Sequence, residues 1–188
     1  TKESSVVYKS EARLSTGITQ SNSAAGNVEQ AGSIRPWEAQ QQFSNLIEIM
    51  NSRTVIRLLS RKLILHDLTN NDPFRDLAEL KATFSPSDIQ EAQNLFESRS
   101  ETERYAFALA NDSLVNNPYS TFDLQETEEE AMMKEMLAML GYDYESLRSD
   151  LRVYRVGETD LLKMEFFSEN KYLSAYVVNT LSEEFISY

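Results

Sequence analysis

The chain has no cysteine. That excludes disulfide scaffolds, cysteine-based zinc sites, iron–sulfur clusters and thiol catalysis. It leaves the compartment open, because an extracytoplasmic domain need not use disulfides. A single histidine, His66, rules out a histidine-rich metal site. With 5 glycines and 4 prolines, fibrous and low-complexity classes fall away. Gly17, Gly26, Gly32, Gly141 and Gly157 compose neither a G-x-G-x-x-G nor a P-loop, so no nucleotide site is expected. The loop spacing of a calcium site is missing too. Positive charge is in deficit: 18 Lys+Arg stand against 30 Asp+Glu, a net charge of -12. Such a field repels phosphate backbones, so nucleic acid is not an expected partner. The longest unbroken apolar run, Tyr105 to Ala110, is far too short to cross a bilayer. No signal or transit peptide is visible.

What is present is the composition of a globular protein, 41% hydrophobic and 26% charged over 188 residues. That length suits one domain with a sizeable core. Thr1 opens almost directly on a strand pattern, and Tyr188 closes inside a helical one without a stop signal. Both ends read as cuts in a longer protein, so the lack of a membrane span between them says nothing about anchors outside them.

Residues 5–16 alternate, with Tyr8, Ser10, Ala12 and Leu14 on one face and Lys9, Glu11 and Arg13 on the other. This predicts a strand with one face covered and the other wet or charge-paired. A small, polar loop is expected over 20–33. Two helices should follow. One spans 37–50 with a stripe of Trp37, Phe43, Leu46, Ile47 and Met50. The other spans 53–65, capped by Ser52, with a stripe of Val55, Ile56, Leu59 and Leu63. Turn signals fill 67–85. Ser85, Pro86 and Asp88 then open a helix carrying Ile89, Ala92, Leu95 and Phe96. Ser100 with Glu103 caps a helix through Ala110, which Asn116-Asn117-Pro118 ends. Thr127 with Glu130 caps another over 131–140, which Gly141 terminates. Asp143 caps a short turn to Arg148. Alternation returns at 151–156 and 160–167 around a Gly-Glu-Thr hairpin, with Leu162, Met164 and Phe166 opposite Lys163 and Glu165. From the cap Asn170 the period is helical, through Leu173, Tyr176, Val177, Leu181, Phe185 and Tyr188. The fold class this predicts is α+β: a small antiparallel or mixed sheet of about three strands, helices on one face, and a helical insertion. No internal repeat is visible.

Chemistry-bearing residues are few. His66 and Asp67 could be a base and its orienting acid, but neighbours in sequence rarely orient each other so, and no serine sits in a G-x-S-x-G elbow. The plainer reading is a polar residue near a helix C-terminus. Glu126, Glu128, Glu129 and Glu130 read as a solvated helix start. Met132, Met133, Met136 and Met139 read as core before partner surface. Tyr172, Tyr176 and Tyr188 fit either core packing or a helix–helix interface. No catalytic, cofactor-binding or metal-ligating residue is assigned, and no cofactor is expected.

The two ends together resemble a family. Tyr8-Lys9-Ser10-Glu11-Ala12-Arg13-Leu14 is similar to the first extracytoplasmic strand of polysaccharide co-polymerases, which include the Wzz-type chain-length determinants and the membrane components of exopolysaccharide tyrosine autokinases. Residues 43–56 resemble the family's next segment, a helix ending at a serine before a second helix. Asp160 to Tyr188 resembles its strand, then S-x-N-P, then a helix with A-x-x-x-N. Here those motifs read Ser168-Glu169-Asn170-Lys171 and Ala175-Tyr176-Val177-Val178-Asn179, with Lys171 where the family has proline.

The resemblance implies a non-enzymatic periplasmic domain of a bacterial inner-membrane protein. Its base would be formed by 5–66 and 150–188, with 67–148 as the helical insertion, all within one extracytoplasmic domain. Membrane spans would lie outside it. The implied partners are further copies in a ring, a polysaccharide polymerase or outer-membrane export protein, and the polysaccharide chain itself: O-antigen, capsule or exopolysaccharide. The closing helix is then expected to leave the sheet toward a longer arm. The competing reading is a small soluble ligand-binding or sensor domain with a groove among the 70–148 helices. Paired-carboxylate hydrolysis is a third.

Overall fold

Alternation at the two ends of the sequence builds a single sheet. In the computed structural model, which describes residues 6–18, 36–98 and 128–186, the strands are β1 (Tyr8–Ser15), β2 (Leu151–Arg155) and β3 (Leu161–Ser168). The sheet order is β1-β3-β2, and both pairings are antiparallel. Tyr8 lies opposite Ser168 and Ser15 opposite Leu161, so strands from opposite ends of the sequence run side by side over their full length. The tight return between β2 and β3 uses Gly157 at φ +54°, where a side chain would be strained. The chain is α+β, as its alternating and helical periods imply.

The sheet belongs to the first of two compact units, Thr1–Ser52 with Asp150–Ser187. Within it, α1 (Pro36–Met50) packs beside β2, and α7 (Lys171–Ile186) packs on β1 and β3. Leu162, Met164 and Phe166 are buried on the face that α7 covers, together with Leu173, Val177, Val178 and Leu181 of the helix. Ser10 and Ser174 hydroxyls meet across that interface at 2.8 Å. Phe43 of α1 is fully buried under the Arg155 guanidinium, 4.3 Å from its ring centroid. Asn170 caps α7, its side-chain oxygen accepting the Tyr172 and Leu173 N–H groups at 2.9 and 3.2 Å.

The second unit, Arg53–Ser149 with Tyr188, is helical wherever it is described as regular. It holds α2 (Arg53–Thr69), α3 (Ala78–Thr83), α4 over 86–98, α5 (Glu128–Met139) and α6 (Tyr144–Asp150). Each boundary has a local cause. The Ser85 hydroxyl accepts the Asp88 N–H and the Asp88 carboxylate accepts the Ser85 N–H, a reciprocal cap for α4. Gly141 at φ +66° ends α5. Its N–H donates to the Ala138 carbonyl and that of Tyr142 to Leu137, the double closure of a Schellman motif. Asp143 accepts the Glu145 and Ser146 N–H groups at the start of α6.

Several expectations are corrected. The helix expected over 53–65 runs on to Thr69. The turn region 67–85 holds α3, whose six residues give too short a window for a helical period to show. Trp37 is 63% exposed, and Ala39 takes the buried place on α1 beside Phe43 and Met50. Within the described residues α7 packs on β1 and β3, and it is buried at Leu173, Val177, Val178, Leu181 and Glu184. The compact units divide at 52/53, so α2 falls in the unit with the other helices. The loop 20–33, the helix 100–110, its stop at 116–118, Glu126, Thr127 and Tyr188 lie outside the described residues.

Candidate functional site

Strand alternation sends one set of side chains away from the helices. On β1 these are Lys9, Glu11 and Arg13; on β3, Lys163, Glu165 and Phe167; on β2, Arg152 and Tyr154. The register sets Glu11 directly opposite Glu165, a like-charge pair that is unfavourable by itself. Two lysines resolve it. Lys9 Nζ donates to Glu165 at 2.9 Å and Glu11 at 3.3 Å, and Lys163 Nζ donates to Glu11 at 2.8 Å and Glu165 at 2.9 Å. Arg13 adds a bond to Glu11 at 3.2 Å.

Aromatic rings frame this lattice. Lys163 sits 5.9 Å from the Tyr154 ring centroid, and the Arg152 guanidinium lies 4.7 Å from that of Phe167. Glu165 is thereby almost covered, at 7% exposure, although it points away from the helices. Hydrogen bonds from Lys163 and Lys9 hold its carboxyl down to about 2. The same two lysines lower Glu11, and the two carboxylates raise both lysines. Lys9, Arg13, Arg152 and Lys163 share this face with Glu11 and Glu165, and at its end the Ser15 hydroxyl donates to Asp160 at 2.6 Å. Fixed charge on a covered sheet can orient a partner.

The second concentration of polar groups is in the helical unit. Asp67, in the last turn of α2, is 1% exposed. Its Oδ1 accepts the Phe74 N–H at 2.8 Å and lies 3.1 Å from His66 Nδ1. Its Oδ2 accepts the Tyr142 hydroxyl at 2.6 Å and the Arg75 N–H at 3.2 Å. Tyr142 is fully buried, and burial, reinforced by the Asp67 carboxylate, pushes its hydroxyl far above the usual phenol range. His66 stacks on Phe74 with ring centroids 3.9 Å apart and 2° between planes. Both Asp67 oxygens are thus spent tying α2 to the 74–75 turn and to the chain leaving α5. The geometry is that of an anchor.

The methionines and the acidic run of α5 fall where the plainer readings put them, and the tyrosines of α7 divide. Met133 and Met136 are buried, with Met132 and Met139 half-buried. Glu128, Glu129 and Glu130 occupy the first turn of α5. Tyr172 is exposed and Tyr176 half-buried. Among the described residues no group of three or more acidic or histidine side chains could hold a metal, and no helix is long and apolar enough to cross a membrane.

Sequence reasoning gave both sides of the lattice separately but not its register. It missed the bond between Asp67 and Tyr142 altogether. A buried tyrosine directly after a helix-ending glycine was the available signal. No family model, no curated protein and no solved structure matches this chain.

Proposed function

We propose that this chain is the non-enzymatic periplasmic base of an inner-membrane polysaccharide co-polymerase. It would govern chain length or export of O-antigen, capsule or exopolysaccharide by assembling with copies of itself in a ring, beside a polysaccharide polymerase or an outer-membrane export protein. The observation that carries the reading is the pairing of β1 with β3 in one sheet under an Asn170-capped helix. The resemblance draws on those same segments, in that order. The lattice on the open face adds support of a different kind, since it suits contact with a partner better than chemistry.

The reading is tested in the source cell. Deleting the reading frame that encodes this chain shifts the length distribution or the amount of a surface polysaccharide on a gel, and the intact frame restores it. An unchanged polysaccharide profile overturns the proposal, as does an intact protein that stays monomeric in mild detergent.

A further inference from the structure

The edge of β1 away from β3 pairs with no strand among the described residues. The Thr16 N–H donates to the Asp160 carbonyl, and the ladder continues through Leu14 with Leu162 and Ala12 with Met164. Backbone groups alternate direction along a strand. The even-numbered residues therefore turn theirs to β3, and Lys9, Glu11, Arg13 and Ser15 turn theirs outward.

We propose that this edge pairs with the same edge of a second copy, antiparallel, about a two-fold axis through Ala12. Charge selects the register. Centring the pair on Glu11 would set Glu11 against its own copy and Lys9 against Arg13. Centring it on Arg13 would set two arginines together. Centring it on Ser10 matches Lys9 with Glu11 but runs half of each strand past the start of β1. Centred on Ala12, Glu11 faces Arg13 twice, Lys9 faces Ser15 twice, and β1 is used along its whole length.

The outward positions 9, 11, 13 and 15 are then the hydrogen-bonded pairs. Alternating charge on an edge strand guards it against promiscuous pairing. Here it leaves one self-complementary solution. The two α7 helices fall on the same side of the joined sheet. Each sits over β1 and β3, so they stand about two strand spacings apart, roughly 10 Å, at which helices pack and do not collide. The two charged faces merge into one. The contact closes at two copies, so it does not rest on the ring reading, which needs a heterologous surface elsewhere.

The absence of cysteine gives a clean background for the test. Two variants of the chain are made, Glu11→Cys and Arg13→Cys. In the Ala12-centred pair these positions face each other at about 5.5 Å between Cα atoms, within disulfide reach. Under mild oxidation the mixture gives a covalent pair, and either variant alone does not. Arg13→Pro removes an outward N–H and leaves the ladder to β3 intact, so the non-covalent pair is lost in sedimentation while the far-ultraviolet circular dichroism is kept. A chain that stays monomeric to about 1 mM and gives no mixed cross-link overturns the pairing. So does equal cross-linking by one variant alone, or a pair that survives in a folded Arg13→Pro. If Arg13→Pro fails to fold, the cross-linking result decides.

Discussion

The two compact units handle charge in opposite ways. In the sheet unit, Lys9, Glu11, Lys163 and Glu165 share one lattice on the face turned from α1 and α7, and each ion has at least two partners. In the helical unit the carboxylate of Asp67 is buried and receives a hydroxyl and two backbone N–H groups. The first arrangement tolerates exchange: one partner can leave while the other holds, and water reaches the rim. The second does not, because a buried carboxylate that loses its donors keeps the whole cost of desolvation. A surface of the first kind is suited to meeting another molecule. A node of the second kind fixes where loops go.

The largest expected effect breaks the helical side of the contrast. Asp67→Ala strands the Tyr142 hydroxyl and the Phe74 and Arg75 N–H groups. It should cost about 3–5 kcal/mol, roughly 1–2 for each stranded donor, read as a fall in the denaturant midpoint. Amide exchange should rise in Arg53–Ser149 before it rises in the sheet. Equal loss of protection in both units would mean that they do not unfold separately. Phe43→Ala is the counterpart in the sheet unit, expected to cost about 3–5 kcal/mol because it empties a fully buried ring site beneath Arg155. Tyr142→Phe sharpens the anchor reading. It removes one donor and keeps the ring, for about 1–2 kcal/mol.

The lattice has a pH signature of its own. Glu165 is held at about 2 against an ordinary 4.5. Its stabilisation is therefore complete above about 4.5 and is lost as pH falls from there toward 2. Glu11 shifts the same way, but it is more exposed and water screens its share. Lys9 and Lys163 are raised above 10.5, so their contribution is complete below that value and is lost as pH rises through their folded pKa. Stability of the sheet unit measured against pH should show a plateau between about 5 and 10 with a fall on each side. Glu165→Gln should flatten the acid limb. An acid limb unchanged in that variant would remove Glu165 as its source. The smallest effect is at the cap: Asn170→Ala should cost about 1 kcal/mol, with loss of protection confined to the first turn of α7.

Much of the fold was legible because its causes are local. The reciprocal Ser85–Asp88 cap, the Gly141 closure, the Asp143 cap and the Asn170 cap each depend on a few consecutive residues. The burial of Leu162, Met164 and Phe166 follows from alternation. What misled was length and company. α3 is too short to display a period. Trp37 sits on the apolar stripe of α1, yet at the first turn it is exposed among the described residues. An amphipathic period says that α7 has a buried face, not how far along it the cover extends.

Composition and spacing by themselves determined the element types, most of their ends, the acidic balance and the exclusion of cysteine and histidine-cluster chemistry. Those properties are set by backbone sterics, side-chain period and the count of groups. Tertiary structure alone decided that Glu11 meets Glu165, so that two lysines must bridge them, and that the Tyr142 hydroxyl finds Asp67. Both are contacts between residues far apart in the chain. Which distant residues meet depends on how strands align and helices pack, and no local preference encodes that alignment.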